Sequence, residues 1–77
     1  MKMFLISDDV DMLMGMRLAG VKGLRIESES EFMTTFMDAV YNEEVGILLI
    51  THGLWQEFEH IISPYKLNDQ PLIIAVP

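Results

Sequence analysis

Three uninterrupted apolar runs, Met3 to Ile6, Ile47 to Ile50 and Leu72 to Val76, constrain the fold of this chain more than any other feature. A strand half-exposed to water alternates apolar and polar residues, whereas a continuous run is expected of a parallel strand covered on both faces. These three are therefore read as central strands. Leu24-Arg25-Ile26-Glu27 alternates instead, and charges at every second position protect an exposed edge, so it belongs at the sheet margin. Internal repeats, low-complexity tracts and Ser/Gly linkers are absent from the 77 residues, which leaves a single domain spanning 1–77.

Helical patterns fill the intervals. The first, Val10 to Ala19, follows Asp9, a suitable N-cap, and ends at Gly20, a natural C′ residue; Gly23 then marks the turn into the second strand. In the second, Ser28 and Glu31 fit a capping box, and Phe32, Met33, Phe36, Met37 and Val40 recur on one face. The third runs from Gly53 to Ser63 with Leu54, Trp55, Phe58, Ile61 and Ile62 on one stripe, and Pro64 ends it. The resulting order is β-α-β-α-β-α-β. Right-handed crossovers with helices on both faces require one reversal of direction, which gives a four-stranded parallel α/β sheet of order 2-1-3-4. Ligands of such sheets bind beyond the carboxyl ends of the strands where the order reverses. Here that point brings Ser7, Asp8 and Asp9 near Thr51, His52 and Gly53.

Charge excludes several partner classes. Twelve Asp and Glu against five Lys and Arg give a net charge of −7, so counterion release cannot drive binding to nucleic acid, and anionic lipid surfaces are poor partners. The opening apolar run is stopped by Ser7-Asp8-Asp9 and is far too short to span a membrane or act as a signal peptide. The absence of cysteine removes thiol nucleophiles, disulfides and thiolate metal sites, and a cytosolic setting is the default. A domain this small hides only about 60% of the surface its unfolded chain exposes, so external support from a partner is expected.

No catalytic, cofactor-binding or metal-binding set emerges. The acidic pair Asp8 and Asp9 invites comparison with a phosphoacceptor receiver domain. Such a domain needs an aspartate where this chain has Thr51, and a lysine after a fifth strand that four strands do not supply. Asp8 and Asp9 are read as a solvated loop carboxylate and an N-cap, since a hard metal needs more oxygen ligands than stand here. His52 and His60 lie eight residues apart without the i, i+4 partner of a zinc pair, and His60 suits a helix C-terminus as a cation. Thr51 and His52 are neighbours at a strand end, where side chains diverge. Asp8, Asp9, Thr51 and His52 are expected to be dispensable for any hydrolysis. Gly15, Gly20 and Gly23 follow or interrupt a helix rather than open one, so no phosphate loop is present.

Seven methionines are unusual in so short a chain, and Met12, Met14 and Met16 leave the first helix apolar around most of its circumference. Core filling accounts for Met14, Met16, Met33 and Met37, while Met12 suits core and interface equally. Gly15 weakens its helix by about 1 kcal/mol relative to alanine, and close packing against the sheet or another helix is the expected compensation.

The whole chain resembles the F subunit of the archaeal and vacuolar-type ATP synthases/ATPases. Three stretches carry the match. Met14-Gly15-Met16-Arg17-Leu18-Ala19-Gly20-Val21 is close to the family's Gly-Phe-Arg-Leu-Ala-Gly pattern, with Met16 in the place of the aromatic; Val45 to Thr51 matches its third strand, and Pro71 to Pro77 its last strand and following proline. The resemblance implies a noncatalytic V-type ATPase rotor subunit in the cytoplasm, peripheral to the membrane. Such a protein grips the coiled-coil rotor subunit and aids coupling or regulation of ATP turnover in the catalytic hexamer, hence of ion transport. Members of the family usually continue past this proline into a C-terminal helical segment that is absent from these 77 residues, and the sequence leaves open whether the chain self-associates when its partner is missing. Because Met16 replaces the aromatic, Met12, one turn earlier, and Arg17 beside it are the expected partner-binding residues. A rival reading makes the chain a free-standing α/β domain that senses a small molecule or phosphate near Asp8, Asp9, Thr51 and His52.

Overall fold

In the computed structural model four parallel strands form one sheet: β1 (Lys2–Ser7), β2 (Lys22–Arg25), β3 (Val45–Thr51) and β4 (Leu72–Val76), in the order β2-β1-β3-β4. Residues 2–77 are described; Met1, the first residue of the expected domain, lies outside them. The order agrees with the sequence reading, and so does the single small α/β domain. Between the strands run α1 (Val10–Leu18), α2 (Glu29–Val40) and the consecutive α3 (His52–Glu57) and α4 (Glu59–Ile62), closed by a 3-10 turn over Ser63–Tyr65.

The registers divide the sheet into two faces. Phe4, Leu48 and Ile73 stand side by side with Ile6, Ile50 and Ala75, while Met3, Ile47 and Leu72 share the other face with Leu5, Leu49 and Ile74. The chain moves to one side from β1 to β2 and to the other side thereafter. Right-handed crossovers therefore put α1 alone on one face and α2, α3 and α4 on the opposite one. On the crowded face Ile6, Leu48 and Ile50 pack with Phe32 and Phe36 of α2 and with Leu54, Phe58, Ile61 and Ile62. Phe32 stacks between Phe36 at 5.5 Å and Phe58 at 4.6 Å. Burying each such ring contributes about 1.5–3 kcal/mol, which makes this layer the main source of stability.

Local signals act as their chemistry requires. Asp9 Oδ1 accepts hydrogen bonds from the N–H groups of Asp11 (2.9 Å) and Met12 (3.3 Å), and Gly20 takes φ +89° just past α1. Ser28 Oγ accepts from the Glu31 N–H at 3.2 Å, while Glu31 reaches back to the N–H of Glu27 rather than of Ser28, a capping box shifted by one residue. His60 meets Glu29 across α4 and α2 at 3.6 Å, on the surface.

Four expectations need correction. Leu72–Val76 is an edge strand and not a doubly covered central one: Leu72 is 50% exposed, since α1 packs chiefly on β2 and β1. The margin strand is Lys22–Arg25 rather than Leu24–Glu27, although the Ile26 N–H still donates to Ser7 and its side chain is buried. The third helix breaks at Phe58, whose φ −114° and ψ 27° leave helical values while its ring fills the core beside Phe32. Met14 and Met33 are exposed rather than core, and no residue of α1 is fully buried.

Candidate functional site

At the carboxyl ends of β1 and β3 the chain brings together the residues singled out from sequence, since the two strands are paired neighbours. Their side chains are largely committed elsewhere. Ser7 is fully buried and its Oγ accepts from the Asp9 N–H at 2.9 Å; Asp9 is the α1 cap. Thr51 is buried while His52, the first residue of α3, is exposed, and Thr51 Oγ1 has no hydrogen-bond partner among the described residues. No nucleophile–base pair therefore exists between them. Because an unpaired buried hydroxyl is a cost rather than a gain, Thr51→Val is expected to raise unfolding free energy by roughly 1 kcal/mol. A urea midpoint that falls instead would reveal a partner for the hydroxyl.

Asp8 opens onto a cleft of about 410 Å³ lined by Arg25, Glu27, Ser28, Glu57 and the edges of Leu54 and Phe58. Its one guanidinium, on Arg25, is already held by Glu27 at 3.0 Å. The surplus of carboxylate makes the cleft a poor host for phosphate, against the rival reading. Among the described residues no three His, Asp or Glu side chains converge in a metal-holding group.

The expected partner-binding residues lie on α1. Met12 is half-buried; Arg17 is exposed and pairs with no carboxylate among the described residues. Arg17 lines a shallow cleft of about 230 Å³ with Val10, Leu13, Met14, Gly23 and Arg25, so two of the five basic side chains of this acidic chain gather there. Sequence reasoning missed the more exposed apolar stripe of Val10, Met14 and Leu18. Its i, i+4, i+8 spacing was visible, but not which side of an apolar helix lies on the sheet.

Comparison with curated proteins finds no match. The family model of the ATP synthase (F/14-kDa) subunit, in contrast, matches residues 3–77 and takes in all four strands, α1 and the acidic turn before it. A parallel sheet of the expected order, folded from a sequence that fits that model almost end to end, leaves one assignment: the chain belongs to the family of the ATP synthase (F/14-kDa) subunit.

Proposed function

We propose that this chain is a noncatalytic central-stalk subunit of a V/A-type rotary ATPase, one that binds the coiled-coil rotor subunit and aids coupling or regulation of ATP turnover in the catalytic hexamer. The observation that carries the reading is the family match over residues 3–77. α1 supports it by presenting apolar surface beside Arg17, which pairs with no carboxylate among the described residues. The reading puts the protein in the cytoplasm at the membrane periphery; among the described residues no helix is long and apolar enough to cross a bilayer.

Met12, with Arg17 as a weaker second, contributes to docking on the rotor coiled coil. Met12 is half-buried, so part of its side chain remains available to a stalk helix. Co-purification from the native host with a helical-hairpin stalk protein is the expected result. Met12→Glu is expected to weaken that complex by at least about tenfold, through a charge placed against apolar helix surface. The isolated domain should keep nearly its full thermal stability. Unfolding of the variant would make Met12 core, unchanged binding would move the interface elsewhere, and ligand-dependent thermal shifts without any stalk partner would favour the sensing domain.

A further inference from the structure

Charge is unevenly distributed along this chain. Residues 10–26, which fold as α1 and β2, hold three cations, Arg17, Lys22 and Arg25, against one carboxylate, Asp11. That stretch therefore carries +2 in a chain of net −7, and the remaining residues sum to −9.

Two of these cations flank an apolar groove. On α1, Val10, Met14 and Arg17 recur at i, i+4 and i+7, and all three are exposed. With Leu13, and with Gly23 and Arg25 of β2, they line a groove along the open side of the sheet, where β2 pairs with β1 alone. Leu13 lies directly over Gly23, since a Cβ on the glycine would stand 2.7 Å from Leu13 Cδ2, and the two close the floor. No carboxylate lines this groove among the described residues. Arg17 pairs with none anywhere among them, and Arg25 meets Glu27 at 3.0 Å in a pair whose members are both exposed. Such an exposed pair contributes little, so Arg25 can exchange Glu27 for another carboxylate at little cost.

We propose that the α1–β2 groove docks an acidic amphipathic helix, whose apolar stripe lies along Val10 and Met14 and whose flanking carboxylates meet Arg17 and Arg25. That the partner is helical rests on the stalk reading above; the sign of its charge rests on the groove. Charge complementarity selects this occupant. Guanidinium forks match carboxylates, and these two border apolar surface in a stretch of positive sum. The surplus of carboxylate over the rest of the chain repels an acidic helix elsewhere and so directs it to this flank. A basic helix would be drawn to the rest of the chain and repelled here. The groove shares Arg17 with the docking surface named above and adds Val10, Met14 and Arg25 to it.

The helical-hairpin stalk protein that co-purifies with the full chain is the probe, and isothermal titration calorimetry gives the Kd. At about 0.15 M sodium chloride, Arg17→Glu and Arg25→Glu are each expected to weaken the complex at least about tenfold, because each sets like charge against the partner's carboxylates. Lys66→Glu makes the same change in net charge outside the groove and should stay within about twofold of wild type, since screening mutes distant charges. Raising the salt to about 0.5 M should weaken the wild-type complex and tighten that of the doubly reversed variant, as screening removes an attraction from one and a repulsion from the other. Both arginines are exposed, and far-UV circular dichroism of each variant verifies the fold. Absence of any complex with a stalk protein overturns the stalk reading and this proposal with it. A stable complex that the two arginine reversals weaken no more than Lys66→Glu does, or that they tighten, leaves the stalk reading standing and overturns the acidic helix alone.

Discussion

Phe32→Ala is expected to cost about 3–5 kcal/mol of unfolding free energy. The ring is fully buried, stacks on Phe36 and Phe58 at once, and lies against the apolar face that β1 and β3 turn towards α2. Its removal opens a cavity where three elements meet, and neighbours tied to the sheet can collapse into it only partly. A domain of this length holds about 4–12 kcal/mol in total, so the loss is a large share of the whole. Urea titration followed by circular dichroism measures it. Met33→Ala, on the neighbouring residue but 40% exposed, should cost less than about 1 kcal/mol. If Phe32→Ala shifted the midpoint no more than Met33→Ala, the aromatic layer would not be what holds the sheet to its helices.

The contrast between those two residues shows what the sequence made legible. The recurrence of Phe32, Met33, Phe36, Met37 and Val40 located the inward side of α2, where Phe32, Phe36 and Val40 are buried and Met37 packs against the core while Met33 is exposed, because the rest of that helix is polar enough to name the other side. In α1 the same reasoning had nothing to work on: Val10, Met14 and Leu18 on one flank are as apolar as Met12, Leu13 and Met16 on the other, and only the fold shows which set rests on the sheet. The run Leu72–Val76 posed a related difficulty. A continuous apolar strand says that both sides favour an apolar neighbour, but not that this chain provides one, and β4 proves to be an edge with one face bare. The break at Phe58 had no signal at all, since neither glycine nor proline marks it.

The switch point was located correctly by topology alone, because parallel pairing of β1 with β3 necessarily brings Ser7–Asp9 beside Thr51–Gly53. Its chemistry was legible only in part. Asp9 showed itself as a cap from its position before an apolar helix, and the fold adds the two N–H groups it serves. The unpaired hydroxyl of Thr51 and the carboxylate surplus around Asp8 depend on side chains from α3 and β2 meeting in space, and no local pattern encodes that meeting.

Gly23→Ala is expected to destabilise the fold by about 2–3 kcal/mol, through overpacking rather than loss of contact. The sequence pattern marks this glycine as a turn, yet it lies within β2, opposite Leu5 and beneath Leu13 of α1. A Cβ at this position would stand 2.6 Å from the Leu5 carbonyl oxygen and 2.7 Å from Leu13 Cδ2. The leucine methyl can move aside, but the backbone oxygen belongs to a strand paired on both edges, so the cost falls on the β1–β2 ladder or on the seat of α1. The same substitution at Gly15 should have the opposite sign. Nothing lies within 4 Å of a Cβ there, and replacing a helical glycine with alanine stabilises by about 0.5–1 kcal/mol. Urea midpoints of both variants, taken at low micromolar protein to keep association out of the comparison, should fall on opposite sides of wild type, and hydrogen exchange in Gly23→Ala should quicken first in α1 and β2. A Gly23→Ala protein as stable as wild type would mean that α1 is not held to the sheet by the close approach this glycine permits.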